Sequence, residues 1–252
     1  MPTAGCRRPH DALLRSACLA LAAILLLACT PGAGPLATVS PAPTPVVTPE
    51  PGLARIRYVA LGDSFTIGTS VAAAERWPEQ LAAQLPDLEL VANLGVNGFT
   101  SGDVIAVELP KLAALRPELV TLLIGVNDVV QGVPETVYRG NVAAILDELV
   151  RRVGAARVLV VTTPDYTVTP AGADYGDPAT QSAAVRRNNA INAELAAARG
   201  IAVVDIYDLS LRAATDRGLV ASDGLHPSGA QYALWVERIG PEITGLLAAR
   251  KP

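Results

Sequence analysis

One serine and one histidine stand out in the sequence as a pair able to do nucleophilic chemistry. His226 is the only histidine after residue 29, and it lies three positions after Asp223. Ser64 follows a short apolar run far upstream. A serine hydroxyl is a weak nucleophile until a base takes its proton, and histidine, with an ordinary pKa of about 6.5, suits that role. A carboxylate can fix the histidine tautomer and stabilise the imidazolium. We therefore predict Ser64, His226 and Asp223 as catalytic residues.

Two further residues are candidates to stabilise the negative charge that forms when a serine attacks a carbonyl group. Gly98 has no side chain, so its backbone N–H can approach a ligand closely. Asn127 offers a side-chain amide from a predicted strand end. With the N–H of Ser64 itself, these groups would form an oxyanion hole. Each has a simpler interpretation: Ser64 as a turn or N-cap residue, Gly98 and Asn127 as turn residues, and Asp223 with His226 as a polar loop pair.

Short apolar segments alternate with longer helical patterns from residue 55 onward. The predicted strands cover residues 57–61, 88–92, 119–124, 157–162 and 201–204. The predicted helices cover residues 78–85, 102–115, 134–153, 181–199 and a last segment from 228 into the 240s. Pro78 and Pro134 suit a first helical turn, and Ser228 suits an N-cap.

This alternation predicts an α/β fold in which a parallel sheet is covered by helices on both faces. In such sheets, ligands bind outside the carboxyl ends of the strands. All of the candidate site residues either follow predicted strands or directly precede the last helix. The fold and the candidate site therefore agree.

Four segments together resemble the SGNH hydrolases, also called the GDSL family. They are Gly62-Asp63-Ser64-Phe65, Asn93-Leu94-Gly95-Val96-Asn97-Gly98, Gly125-Val126-Asn127-Asp128 and Asp223-Gly224-Leu225-His226. The family's marker residues correspond to Ser64, Gly98, Asn127 and His226, and Phe65 stands where the family has leucine. The resemblance covers about residues 55–245. It implies a three-layer α/β/α, flavodoxin-like, doubly wound parallel sheet of about five strands, and hydrolysis of esters or thioesters through an acyl-enzyme.

Aromatic residues near these segments are candidates for the substrate pocket. They are Phe65, Tyr166 and Tyr175, of which the two tyrosines lie in the long segment 163–180. A surface lid or a plain loop is an equal interpretation for that segment. Asp63 and Asp128, which flank the key residues, are interpreted as hydrogen-bond acceptors that shape the loops.

The first part of the sequence indicates export. Residues 1–28 combine a basic start with an apolar run too short to span a bilayer, which predicts a signal peptide. The run ends in Leu26-Leu27-Ala28-Cys29, which resembles the lipobox of bacterial lipoproteins and implies lipidation at Cys29. Residues 29–52 form a proline-rich linker, and residues 53–252 form the hydrolase domain. We therefore expect a protein tethered by a lipid anchor to the outer face of a membrane in the cell envelope.

Composition excludes several other classes of protein. The three cysteines all lie within the first 29 residues, and one histidine remains beyond them, so neither cysteines nor a histidine cluster can supply a metal site in the folded domain. The formal net charge is −4 with no basic stripe, which argues against a nucleic-acid partner. Phosphate-loop and dinucleotide motifs are missing, and so is the nucleophile-elbow motif. We expect no cofactor.

The sequence therefore predicts a surface-tethered serine esterase. Its substrate would be an acetylated glycan, a lysophospholipid or another small acyl ester. One alternative is a non-catalytic lipoprotein that binds an acylated ligand in the same crevice. Another is an acyltransferase, which would share every catalytic residue and differ in how well water is excluded.

Overall fold

Five parallel strands form a single sheet in the part of the chain that the computed structural model describes, residues 55–248. The strands are β1 (Ile56–Gly62), β2 (Leu88–Asn93), β3 (Leu119–Leu123), β4 (Val158–Val161) and β5 (Ala202–Val204). Their order in the sheet is β2-β1-β3-β4-β5, and all four pairings are parallel. This is the flavodoxin-like order. The predicted fold class is confirmed.

Helices connect these strands. The α-helices are α1 (Ser64–Ile67), α2 (Trp77–Gln84), α3 (Ser101–Asp103), α4 (Leu112–Leu115), α5 (Val126–Val130), α6 (Glu135–Val153), α7 (Pro178–Ala197), α8 (Tyr207–Leu211) and α9 (Gly229–Ala248). Short 3-10 turns occur at Ala73–Glu75, Leu109–Lys111, Ala155–Arg157, Tyr166–Val168, Gly172–Tyr175, Arg212–Ala214 and Arg217–Leu219. The predicted N-cap Ser228 is confirmed, since its hydroxyl accepts a hydrogen bond from the Gln231 N–H at 3.3 Å.

Two details of the predicted helices are wrong. The segment 102–115 is not one helix: after α3 it continues as a π-helical stretch, Val104–Glu108, then as a 3-10 turn and α4. Pro110 lies in that 3-10 turn, and a proline has no N–H to donate to the preceding helical turn. Pro134 is the N-cap of α6 rather than a first-turn residue, because its ψ of 139° is extended.

Apolar side chains on both faces of the sheet are buried beneath helices. Along β1, Tyr58 and Ala60 belong to one core cluster, whereas Val59 and Leu61 belong to another. The first cluster includes side chains of α2 and α9, and the second includes side chains of α6. Strands buried on both faces are typical of parallel sheets. The carboxyl ends of the strands are consequently left as the edge that can carry a site.

Several predictions fall on residues that the structure does not describe. These are the signal peptide at 1–28, the linker at 29–52 and lipidation at Cys29, which lie outside residues 55–248. The boundaries of the hydrolase domain, 53–252, likewise stay predictions. Among the described residues, no helix is both long enough and apolar enough to cross a membrane.

A buried carboxyl group lies beneath the carboxyl end of β1. Glu108 ends the π-helical stretch and is fully buried. Its Oε2 accepts a hydrogen bond from the Gly62 N–H at 3.0 Å, while Oε1 has no partner among the described residues. Burial raises the pKa of Glu108 to about 9, and the nearby Asp63 carboxyl adds to that rise. Glu108 is therefore protonated at neutral pH.

We expect Glu108→Gln to stabilise the protein increasingly as pH rises. The pKa of Glu108 is higher in the folded state than in the unfolded state. The contribution of Glu108 to the free energy of unfolding is therefore fully present below the unfolded pKa of about 4.3, and it is lost as pH rises through the folded pKa of about 9. Glutamine stays neutral and can still accept from Gly62. Urea unfolding at pH 6 and pH 9 checks this, with the exposed Glu242→Gln as control. An advantage of the same size at both pH values would contradict it.

Candidate active site

The turn between β1 and α1 presents Ser64 at the carboxyl edge of the sheet. Asp63 is the N-cap of α1, and its Oδ1 accepts a hydrogen bond from the Phe65 N–H at 2.9 Å. The interpretation of Asp63 as a structural acceptor is confirmed, and Asp63, not Ser64, caps the helix. Ser64 is the first residue of α1, where a backbone N–H has no partner within the helix. That N–H is free to contribute to an oxyanion hole.

Asp63 is fully buried directly beside Ser64. The pKa of Asp63 is raised to about 8: burial raises it most, the hydrogen bond from the Phe65 N–H lowers it, and the charge of Asp128 adds a smaller rise. A carboxyl group that is neutral at pH 7 places no negative charge next to the point where an oxyanion would form. The burial of Asp63 thus favours the chemistry predicted for Ser64.

Asp223 and His226 form a close hydrogen-bonded pair in the loop before α9. The Nδ1 atom of His226 lies 2.6 Å from Oδ2 of Asp223, and the N–H groups of Leu225 and His226 donate to Oδ1 at 2.9 Å. Partial burial raises the pKa of Asp223, but the hydrogen bonds from Ser70, Leu225 and His226 outweigh it and hold that pKa well below its usual range. An ionised Asp223 favours a proton on Nδ1, which leaves Nε2 free to act as a base.

A cavity of about 250 Å³ brings the separate parts of the site together. Its walls come from the turn after β1, the loop after β2, α5 and the loops before α7 and α9. The lining residues are Ser64, Phe65, Asn97, Gly98, Val126, Asn127, Val130, Tyr166, Tyr175, Leu225 and His226. Within the part of the chain that the structure describes, no hydrogen bond joins Ser64 to the His226 ring. Such contacts commonly tighten only when substrate is bound.

Gly98 and Asn127, the candidate oxyanion donors, both line this cavity. Gly98 has a φ of +80°, a conformation that favours glycine, while a Cβ atom there would meet no protein atom within 4 Å. The turn therefore requires glycine, and the space beside it is open. Asn127 donates one Nδ2 hydrogen to the Phe99 carbonyl at 3.0 Å, which orients the amide and leaves its second hydrogen for a ligand.

Asp128 fixes the loop after β2 against α5. Its two carboxylate oxygens accept hydrogen bonds from the N–H and the hydroxyl of Ser101, at 2.9 and 2.6 Å. Asn141 of α6 donates to the same hydroxyl at 3.0 Å. The interpretation of Asp128 as a loop-shaping acceptor is confirmed. Since Asn127 precedes it and Gly98 lies just before Ser101, this contact holds the two oxyanion candidates in place.

The three aromatic pocket candidates all line the cavity. Phe65 is buried, with its ring centroid 5.5 Å from that of His226. Tyr166 is buried and meets Tyr175 edge to face at 5.9 Å, and the Tyr166 hydroxyl donates to Gln181 at 3.0 Å. Tyr175 is 42% exposed. The segment 163–180 therefore supplies a wall of the site, with Tyr175 at its rim.

Sequence reasoning missed other residues of the site. Leu225 could have been found, since it lies between Asp223 and His226. The four-residue spacing of Val126 and Val130 on a helix that also carries Asn127 was a second available signal. Asn97, on the cavity wall, could likewise have been found, since it directly precedes Gly98. Ser70, whose hydroxyl donates to Asp223 at 2.6 Å, gave no signal in the sequence.

Comparison with known proteins agrees with this geometry. Residues 60–234 match the GDSL-like lipase/acylhydrolase family, which is more than half of the chain. The chain belongs to this family. The prediction of an ester-cleaving hydrolase is thereby confirmed at the level of the family.

A relative and two solved structures illustrate the likeness. An arylesterase from Vibrio mimicus is 30% identical over 120 residues, or 44% of this chain, and the match spans 57% of that enzyme's length. A putative lipolytic protein of the G-D-S-L family from Desulfitobacterium hafniense has a TM-score of 0.62 at 22% identity, over 75% of this chain and 99% of its own. An acetyl xylan esterase from Geobacillus stearothermophilus has a TM-score of 0.60 at 20% identity, over 75% and 94%. At these identities the structures show a shared fold.

We expect Asn127→Ala to lower kcat for ester hydrolysis by roughly a hundredfold to a thousandfold, because it removes one donor to the oxyanion. KM should change little, since this contact forms mainly in the transition state. Steady-state kinetics on a p-nitrophenyl ester check this. Gln84→Ala, which truncates an exposed amide at the end of α2 away from the cavity lining, is the control. A kcat within threefold of wild type would remove Asn127 from the oxyanion hole.

Proposed function

We propose that this chain is an exported serine esterase that cleaves small acyl esters through an acyl-enzyme on Ser64. One observation carries the proposal: a single cavity holds Ser64, the Asp223-bound His226 and the donors Gly98 and Asn127. A site with nucleophile, base and oxyanion donors all present favours catalysis over simple capture of an acylated ligand.

The reaction follows from the roles of these groups. Nε2 of His226 takes the Ser64 proton as the hydroxyl oxygen attacks the ester carbonyl carbon. The N–H groups of Ser64 and Gly98 and the Asn127 amide hold the oxyanion of the tetrahedral intermediate. His226 then protonates the leaving alcohol as its C–O bond breaks, which leaves the acyl-enzyme. A water molecule, activated by His226, repeats the sequence and releases the acid.

The size of the cavity supports a short acyl group. Pockets for drug-sized ligands span roughly 300–1,000 Å³, and the cavity here holds about 250 Å³. The buried rings of Phe65 and Tyr166 limit its extension into the protein. An acetyl or similarly short acyl group fits such a space better than a long chain does. One of the similar structures is an acetyl xylan esterase, whose name specifies an acetyl group.

Among the substrates that the sequence predicts, an acetylated glycan or another small acyl ester matches a short acyl group, whereas a lysophospholipid, with its long acyl chain, does not. The choice of an ester of the cell envelope rests on location. An enzyme exported by residues 1–28 and tethered through Cys29 by the linker 29–52 meets esters of the cell envelope rather than cytoplasmic thioesters.

Hydrolysis of p-nitrophenyl esters from acetyl to long acyl tests the proposed activity. We expect kcat/KM to be highest for short acyl esters and to fall for long acyl chains, because the longest chains exceed a cavity of about 250 Å³. Ser64→Ala and His226→Ala should abolish turnover, and Ser64→Ala should also abolish labelling by a fluorophosphonate. Purified full-length protein is used throughout. Unchanged turnover in either variant would overturn the assignment of the nucleophile or base, and preference for long acyl chains would overturn the short-acyl substrate.

The proposed lipid anchor has its own test. We expect Cys29→Ala to move the protein from the membrane fraction to the soluble exported fraction, because a thiol is needed for lipid attachment. Mass spectrometry of the wild-type N-terminus should find a lipid on Cys29. Cys18→Ala, a change within the predicted signal peptide, is the matched control. A wild-type N-terminus without lipid would remove the anchor from the proposal and leave secretion.

A further inference from the structure

Ser70 reaches the catalytic carboxylate from a distant part of the chain. It lies in the turn after α1, and its hydroxyl donates to Oδ2 of Asp223 at 2.6 Å across 153 residues of sequence. The same oxygen bonds Nδ1 of His226 at 2.6 Å. The other donors to Asp223 are the backbone N–H groups of Leu225 and His226. Among the described residues, Ser70 is thus the one donor from outside the Asp223 loop.

The backbone of Ser70 is in a conformation that serine rarely adopts. Its φ is +66°, and Arg116 is the one other non-glycine residue with positive φ among residues 55–248. Glycine and asparagine take this conformation more readily. Such backbone outliers persist where surrounding contacts enforce them, and they cluster at functional sites. A glycine would adopt this φ without strain, so the backbone conformation by itself gives no reason for a serine at position 70.

The position of Ser70 is built directly on the nucleophile turn. The N–H groups of Gly68 and Thr69 both donate to the carbonyl oxygen of Ser64, at 3.0 and 3.1 Å. The Thr69 hydroxyl donates to Oδ1 of Asn97 at 2.6 Å, and Asn97 lines the cavity beside Gly98. Two adjacent residues therefore connect the turn that follows Ser64 to two other loops of the site. Thr69 bonds the loop that carries Asn97 and Gly98, and Ser70 bonds the loop that carries Asp223.

We propose that Ser70 is a positioning residue for the esterase reaction. Its hydroxyl, held by a left-handed backbone, orients the Asp223 carboxylate toward His226. The same hydrogen bond holds the loop of Asp223 against the turn that follows Ser64. This inference rests on the proposed function. With Oδ2 bonded to both Ser70 and His226, the carboxylate cannot rotate without breaking two hydrogen bonds. Ser70 touches neither the acyl group nor the reacting atoms, so it acts through Asp223.

A pair of substitutions separates the hydroxyl from the backbone conformation. Ser70→Gly removes the hydroxyl and relieves the positive φ, whereas Ser70→Ala removes the hydroxyl and keeps the strain. We expect both to lower kcat on p-nitrophenyl acetate by roughly tenfold with KM unchanged, because each loses one hydrogen bond to a charged group. Arg116→Gly, which relieves the other positive φ far from the cavity, is the control and should match wild type. Thermal unfolding confirms that each variant is folded.

A double-mutant cycle tests whether Ser70 acts through Asp223. In an Asp223→Ala background we expect Ser70→Gly to cause no further loss of kcat, since the group that it orients is gone. An additive loss would overturn the proposal, and so would a Ser70→Gly variant with wild-type kcat. A wild-type protein that neither hydrolyses esters nor reacts with a fluorophosphonate would overturn the proposed function itself, and the positioning role with it.

Discussion

The parallel pairing of β1 with both β2 and β3 is the constraint on which the site depends. Because β1 is hydrogen-bonded on both edges, its carboxyl end cannot shift without breaking two ladders. Ser64 follows that end after one intervening residue, Gly98 lies in the loop after β2, and Asn127 lies in α5, which follows β3. Parallel strands place their carboxyl ends along one edge of a sheet. Three residues that are far apart in the sequence thereby line the same cavity.

Carboxyl groups around Ser64 are in two opposite electrostatic states. Asp63 and Glu108 are buried and protonated at neutral pH, because burial raises their pKa values. Asp223 lies nearer the surface and stays ionised, because several donors hold its pKa low. The negative charge therefore lies beside the His226 ring and is missing beside Ser64, as the proposed mechanism requires. The same kind of side chain serves both purposes through its surroundings alone.

The sequence predicted strands better than it predicted irregular helices. Each predicted strand lies within one residue of an observed strand at both ends, because short, mostly apolar segments between helical patterns are typical of strands in a parallel sheet. The segment 102–115 also has helical periodicity, yet Pro110 breaks it and a π-helical stretch carries Glu108 under Gly62. Periodicity does not register a local change in helical winding. Periodicity also does not indicate that Glu108, in a segment with the pattern of a helix, has a buried carboxyl group.

The sequence by itself was enough to nominate the chemistry proposed for the site, because few residues compete for each role: one histidine beyond residue 29, with an aspartate three positions before it, and one serine in the matching motif. The tertiary structure alone decided which side chains support that chemistry. Ser70 reaches Asp223, and Tyr166 forms a wall of the cavity, through contacts between loops that no local pattern encodes. Residue type and short spacing are local properties, whereas hydrogen bonds across 153 residues depend on where the sheet brings the loops.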